Sequence, residues 1–118
     1  MNPKFHDVTL LSSNLLISKF EKVVEHNFSD HDLDLKQMAS EMGLSERQLQ
    51  RKIKTLTGRS PTEFVRAFRL SKSRDYLLAG YAVHETAKLV GFASQAYFAA
   101  CFKASYGKTP TEYRDKHA

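Results

Sequence analysis

Four long polar side chains share one helical face of a short segment near the middle of the chain. In "SERQLQRKIKTLTG" these side chains are Arg47, Gln50, Arg51 and Lys54. A guanidinium group can bond two acceptors of one guanine, and a carboxamide can do the same with adenine. An ammonium group is better suited to a phosphate. The face therefore has the chemistry needed to bind a nucleic acid.

The segment that carries this face predicts a helix-turn-helix. A first short helix would end at Gly43, because a glycine without Cβ suits a left-handed backbone. Ser45 would cap a second helix, with Gln48 at the reciprocal position of a capping box. The buried stripe of this second helix would be Leu49, Ile53 and Leu56. The small Ala39 would let the two helices cross closely.

A similar short phrase occurs twice in the sequence, each time after a segment that predicts a helix-turn-helix. "GRSPTEFVR" begins at Gly58, and "GKTPTEYR" begins at Gly107. Each phrase reads as the end of one helix, a short turn and the start of another, with Ser60 or Thr109 as the N-cap before a proline. The chain thus repeats a whole structural unit rather than a single turn.

The alignment of the two copies locates an insertion. In "VHETAKLVGFASQAYFAACFKASYG", Gly91 matches Gly43 at an offset of 48 residues, whereas Phe98 matches Leu49 at an offset of 49. The second copy therefore carries one extra residue in or just after its turn.

The remaining segments complete an expected all-α fold of about seven helices. Residues 1–12 read as a tail or linker remnant, and an amphipathic helix begins at Ser13. The expected organisation is a first helix-turn-helix subdomain at 13–60, a connecting helix at 61–80 and a second subdomain at 81–118. At ~1.5 Å per residue the connecting helix would span roughly 28 Å. Successive major-groove faces of duplex DNA recur about every 34 Å.

Charge and composition restrict the class of protein. Residues 1–45 contain four Lys and Arg against seven Asp and Glu, whereas residues 46–118 contain fourteen against six. The repeated part is thus the basic part, which favours a polyanionic partner. The single Cys101 excludes an internal disulfide framework. Because there is neither a membrane-length apolar run nor a signal peptide, we expect a cytoplasmic protein without membrane contact.

No pattern in the sequence indicates an enzyme, a metal site or a cofactor. The five histidines are scattered and make no ligand spacing with Cys101 or with each other. The acidic "SDHD" is typical of a solvated loop. Neither a glycine-rich phosphate loop nor a pair of catalytic carboxylates is evident. We therefore expect a binding protein.

The paired motifs resemble the DNA-binding domain of AraC/XylS-type transcription regulators. The resemblance covers about residues 13–116 and depends on "MASEMGLSERQLQRKIKTLTGRSPTEF", Arg69–Leu70, "YLL" and "VGFASQAYFAACFKASYGKTPTEYR". It implies double-stranded DNA as the partner, transcription activation, contact with RNA polymerase and an upstream sensing domain in the full-length protein. "LQRKIKTLTGRSP" particularly resembles such domains at the C-terminal ends of two-component hybrid sensors.

The resemblance also implies roles for individual residues. The base-facing positions of the first recognition helix are Arg47, Gln50 and Arg51, and those of the second are Gln95, Ala96, Ala99 and Ala100. The family commonly has Ser-Arg or Thr-Arg in place of Ala99–Ala100, so the second helix is expected to position the protein more than to read bases. Phosphate contacts are expected at Ser45, Lys54, Arg59, Ser60, Ser94, Lys103, Lys108 and Thr109.

The Ala99–Ala100 departure also favours an alternative, a helical protein-interaction module that kept the fold and lost specific DNA binding. RNA is the weaker candidate partner, because the major groove of an A-form helix is too narrow for a recognition helix.

Overall fold

The computed structural model describes residues 3–117, with side chains described from 12 to 116. Seven α-helices make up this part of the chain, and it contains no strand: α1 (Pro3–Asn27), α2 (Leu35–Met42), α3 (Glu46–Thr57), α4 (Pro61–Leu78), α5 (Val83–Leu89), α6 (Gln95–Tyr106) and α7 (Pro110–His117). The predicted all-α fold with two helix-turn-helix subdomains is confirmed. None of these helices combines the length and the apolar character required to cross a membrane.

Helix α1 is longer than its sequence pattern indicates. It begins at Pro3, whereas the amphipathic pattern predicts a start at Ser13 after a tail. Proline is well suited to the first helical position, because its missing N–H would have no partner there. The amphipathic pattern therefore located a part of α1 but not its first residue.

The chain divides into two compact units. The first unit combines α1 with Asp34–Phe64, and the second combines Phe28–Leu33 with the chain from Val65 onward. The division thus falls within α4, a few residues beyond the subdomain boundary expected at Ser60. The loop Phe28–Leu33 lies with the second unit although the sequence places it in the first subdomain.

One arginine accounts for the place of this loop. Arg69 of α4 donates from Nε to the carbonyl of Phe28 and from Nη2 to the carbonyl of Asp30, both at 2.8 Å. The Phe28 ring also meets Phe68 edge-on, with ring centroids 5.3 Å apart. Burial lowers the pKa of the Arg69 guanidinium, and the nearby charge of Asp30 opposes that shift. These contacts attach the loop to α4.

The first unit has a core of large apolar side chains from α1, α2 and α3. The fully buried members include Phe20, Val24, Met38, Leu49 and Ile53. Phe64 closes this core by an edge contact with Phe20, the centroids being 5.1 Å apart. The buried face predicted for α1 and the stripe predicted for α3 are confirmed at these positions.

The second unit has a separate core around α6. Its buried members are Leu70, Leu77, Ala87, Val90, Phe92, Phe98 and Phe102. Leu78, the last residue of α4, is 49% exposed, because successive helical residues diverge by about 100° and Leu77 takes the inward direction. Val65, which the sequence pattern does not single out, is buried instead.

Candidate nucleic-acid interface

The turn between α2 and α3 fixes how the first recognition helix leaves it. Gly43 has a left-handed backbone with φ of 69°. The Ser45 hydroxyl accepts from the Gln48 N–H at 3.1 Å, and the Gln48 Oε1 accepts from the Ser45 N–H at 3.0 Å. Both halves of the predicted capping box are therefore present, and the first turn of α3 is rigidly specified.

The outer face of α3 presents three exposed polar side chains that make no hydrogen bond or ion pair with the described residues. Leu49 and Ile53 are completely buried and anchor the opposite face. Arg47, Gln50 and Arg51 are exposed, and none forms a hydrogen bond or ion pair with a residue that the structure describes. The α3 face, defined as these three residues with Lys54, is thus open to a ligand.

Two of the residues expected to contact phosphate around α3, Lys54 and Ser60, have intramolecular side-chain hydrogen bonds. Lys54 is exposed, and its Nζ donates to the carbonyl of Gly58 at 3.0 Å. This bond places a cation at the negative end of the helix dipole. The Ser60 hydroxyl accepts from the Glu63 N–H at 3.2 Å, so it serves as the predicted cap of α4. Arg59 is exposed beside them.

The second turn repeats the first with the extra residue that the alignment predicts. Leu44 donates to Ala39 at 3.0 Å, and Phe92 donates to Ala87 at 2.9 Å in the same way. One residue separates Gly43 from the cap Ser45, whereas two separate Gly91 from the cap Ser94. The insertion thus lies between Gly91 and Ser94.

Gly91 is required for a reason beyond its turn. Its φ is 91°, a backbone that residues with a side chain rarely adopt. A Cβ at this position would collide with the carbonyl oxygen of Phe28 and lie 2.9 Å from Arg69 Nε. The turn before α6 therefore packs directly on the loop that Arg69 holds.

The outer face of α6 is poor in polar groups. Phe98 and Phe102 are completely buried and anchor the helix. The residues expected to face bases lie on the opposite side, where Gln95, Ala96 and Ala100 are exposed and Ala99 is half-buried. The Ser94 hydroxyl accepts from the Tyr97 N–H at 3.2 Å, and Lys103 is exposed.

Tyr97 is a further exposed residue of α6 that the site prediction omits. It is 53% exposed, and its hydroxyl accepts a hydrogen bond from Nη1 of Arg66 at 3.4 Å. The residue 49 positions earlier is Gln48, which turns back to cap its own helix. A tyrosine at the equivalent position of a capping box cannot make that bond. This difference between the two copies is the sequence signal that could have identified Tyr97 as a residue of the site.

Two lysines approach each other beside α7, Lys108 before its first residue and Lys116 in its last turn. The Thr109 hydroxyl accepts from the Glu112 N–H at 3.1 Å and donates to Glu112 Oε1 at 3.0 Å. The pKa of Lys108 is lowered by its hydrogen bond with Lys116, by partial desolvation and by the charge of Lys116, while Glu112 opposes these effects. An anion approaching this helix start would meet Lys108 and the N–H of Thr111, because Pro110 has no N–H and the N–H groups of Glu112 and Tyr113 already donate to Thr109.

The acidic loop before α2 forms one group of three side chains with ligand atoms within 4.8 Å of one another, Asp30, His31 and Asp32. All three are exposed, and His31 pairs with Asp32 at 3.4 Å. The Asp32 N–H also donates to Asp30 Oδ1 at 2.9 Å, so local hydrogen bonds account for the close approach.

A family model described as a helix-turn-helix domain matches residues 38–116. Among curated relatives, Histidine kinase P4 of Formosa agariphila is 31% identical over 104 residues, which is 87% of this chain and 8% of that protein. Transcriptional activator NphR of a Rhodococcus species is 28% identical over 103 residues, which is 86% of this chain and 30% of that protein. The chain thus spans less than a third of either relative.

Solved structures agree in fold. The C-terminal domain of AraT, a response regulator from Geobacillus stearothermophilus, has a TM-score of 0.77 at 31% identity, covering 86% of this chain and 84% of that one. The DNA-binding domain of AdpA in complex with a target DNA has a TM-score of 0.79 at 25% identity, covering 86% and 91%. The chain therefore belongs to the helix-turn-helix family of AraC-type DNA-binding domains of transcription regulators.

Proposed function

We propose that this domain binds double-stranded DNA sequence-specifically, with α3 and α6 as recognition helices that each enter a major-groove segment. The observation that carries the proposal is the α3 face, where Arg47, Gln50 and Arg51 are exposed without partners among the described residues. Polar side chains on an ordinary surface helix often form hydrogen bonds or ion pairs with neighbouring side chains. On a recognition helix they bind base edges instead.

On α3, each residue type suits a particular base. Arg47 and Arg51 can each bond O6 and N7 of a guanine, and Gln50 can bond N6 and N7 of an adenine. These three residues extend from the first to the second turn of the helix, the part that meets bases in helix-turn-helix proteins. We assign sequence reading chiefly to them.

On α6, reading is weaker. Gln95 is the one residue of its base-facing set that can bond a base in bidentate fashion, while Ala96 and Ala100 can only touch a thymine methyl group. Ala99, being half-buried, offers still less. We therefore assign to α6 mainly a positioning role.

The proposed phosphate contacts surround both helices: Ser45, Lys54, Arg59, Ser60, Ser94, Lys103, Lys108 and Thr109. Each of the four hydroxyl residues caps a helix by accepting the N–H of the third helical residue, so the N–H groups left for the DNA backbone are those of the first two helical residues other than proline. The four cations supply the charge that displaces condensed counterions.

The length of α4 supports binding to adjacent groove segments. Its eighteen residues span about 27 Å at 1.5 Å per residue. The repeat of the major groove is about 34 Å. A connector of this size suits two recognition helices on successive turns of one duplex.

The wider role that we propose is transcription activation within a larger regulator that has a sensing region upstream and engages RNA polymerase. The name of NphR and the response-regulator origin of AraT support this proposal. So does the match to a small part of a histidine kinase. The response-regulator and histidine-kinase matches also support the proposal of a two-component signalling context.

Selection of bound duplexes from a random DNA pool, followed by titration at several salt concentrations, tests the proposal. We expect a defined site and a slope of log affinity against log salt of about −4, because four cations are assigned to phosphates. The control is a duplex of the same composition in scrambled order. Failure to select any site, with weak and equal binding to both duplexes, would favour the protein-interaction alternative suggested by Ala99–Ala100.

A further inference from the structure

Tyr97 has no role in the contacts assigned above, although it is the largest exposed side chain in the first turn of α6. It is 53% exposed. Its neighbour Ala96 and the next exposed position along the face, Ala100, present only methyl groups. The first turn of a recognition helix is the part that approaches the DNA.

The Tyr97 side chain is held in place from two directions. Its ring packs on Phe92 of the preceding turn, with centroids 5.8 Å apart and planes at 58°. Its hydroxyl lies 3.4 Å from Nη1 of Arg66 on α4. An exposed aromatic group fixed at both ends has already lost much of its rotamer freedom, so a ligand that meets it pays little further entropy.

The direction of the Arg66 hydrogen bond leaves the phenol with a proton to donate. A guanidinium group only donates, so the Tyr97 oxygen is the acceptor in this bond. No acceptor in the described part of the chain receives the Tyr97 O–H. A hydroxyl beside a cation donates most favourably to an anionic oxygen. The pair is therefore complementary to a phosphate.

We propose that Tyr97 donates a hydrogen bond to a DNA phosphate and that Arg66 is the positioning residue for its hydroxyl. The proposal rests on the DNA binding proposed above. It gives the second unit a contact that the first unit lacks, because the equivalent Gln48 is used to cap α3. A backbone contact of this kind fits a helix that positions more than it reads.

The direct test is Tyr97→Phe, which keeps the ring and removes only the hydroxyl. Affinity for the selected duplex and for a scrambled duplex should both fall about tenfold, because a phosphate is present in either. The salt slope should stay unchanged, since no charge is lost. Tyr81→Phe is the matched control, because Tyr81 is another exposed tyrosine of the second unit, 41% exposed and stacked edge-on against Tyr76.

The role of Arg66 is tested by Arg66→Met, alone and combined with Tyr97→Phe. A positioning residue acts through its partner, so Arg66→Met should cost about as much as Tyr97→Phe and add little in the double variant. Thermal unfolding of each variant is measured in parallel. Additive losses together with a shallower salt slope would overturn the positioning role, because Arg66 would then itself neutralise a phosphate.

The outcomes also separate this inference from the function on which it rests. A wild-type protein that shows no preference for any duplex contradicts the proposed function. If Tyr97→Phe binds the selected site as tightly as the wild-type protein, that result contradicts only the Tyr97 contact. If Tyr97→Phe lowers affinity only for duplexes that carry one particular base pair, the hydroxyl contacts a base edge rather than a phosphate, and the proposed phosphate contact is wrong.

Discussion

Arg51 and Lys54 lie one helical turn apart but differ in what they do in the unbound protein. Lys54 already donates to the Gly58 carbonyl, whereas Arg51 has no such partner among the described residues. If Lys54 exchanges the Gly58 carbonyl oxygen for a phosphate oxygen, it gains binding free energy mainly from charge neutralisation. An arginine without a partner can gain the full value of a bidentate bond to guanine. The residues therefore predict different kinds of loss when they are replaced.

We expect Arg51→Ala to weaken binding to the selected site by about 1–3 kcal/mol and to relax the preference at one base pair. Arg51→Lys should relax the preference equally while keeping the salt slope, because it retains the charge and loses the fork geometry. Fluorescence anisotropy with duplexes substituted at each position measures both effects. Lys22→Ala, which removes an exposed charge from α1, is the control. An Arg51→Ala variant with unchanged preference would remove Arg51 from the base contacts.

Helices α3 and α6 both begin after a serine N-cap, but they carry different outer faces. Ala100 of α6 is exposed where α3 has polar side chains, so the backbone there can accept a longer residue without disturbing the core. The difference between α3 and α6 is thus one of side chains, and a single substitution can test it.

Ala100→Arg should strengthen DNA binding about tenfold at low salt and steepen the salt slope by about one unit, because it adds one cation to the proposed interface. Anisotropy titrations at three salt concentrations measure both quantities. Ala79→Arg adds the same charge at an exposed position after α4 and should change neither. Weaker binding by Ala100→Arg would mean that α6 does not approach DNA by this face.

Replacement of Gly43 and of Gly91 by alanine should lower the free energy of unfolding by clearly different amounts. At Gly43, with φ of 69°, a Cβ has open space, so Gly43→Ala should cost about 1–2 kcal/mol from backbone strain alone. At Gly91 a Cβ would also collide with the Phe28 carbonyl and crowd Arg69, so Gly91→Ala should cost about 3 kcal/mol or more. Urea unfolding measures the difference. Equal losses would show that the loop is not packed on Gly91.

Local signals made most of these elements predictable. Ser45, Ser60 and Thr109 cap the helices that their sequence positions indicate, because capping depends only on residues within one turn. The contacts of Arg69 with the loop Phe28–Leu33 were not predictable, since they join residues about 40 positions apart and leave no periodic trace. The orientation of Tyr97 depends on Arg66 in the same way. The base-facing roles remain predictions from residue type and exposure.

At the scale of the whole molecule, acidic residues exceed basic ones in the N-terminal part of the sequence, and basic residues exceed acidic ones in the C-terminal part. Residues up to 45 carry more acidic than basic side chains, and the two recognition helices fall in the basic remainder. Such an uneven distribution orients a protein as it approaches a polyanion, and it accelerates association at low salt. The charge of these residues thus supports contact with DNA.

If α3 and α6 occupy adjacent major-groove segments, a hydroxyl-radical footprint should show two protected tracts about 10 base pairs apart. Inserting five base pairs between the tracts rotates them to opposite sides of the duplex. The proposed binding mode requires both tracts on one side of the duplex, so affinity should fall at least tenfold, to the level that one recognition helix supports. The same five base pairs inserted outside the footprint are the control. A site that tolerates the internal insertion would mean that one helix alone engages DNA.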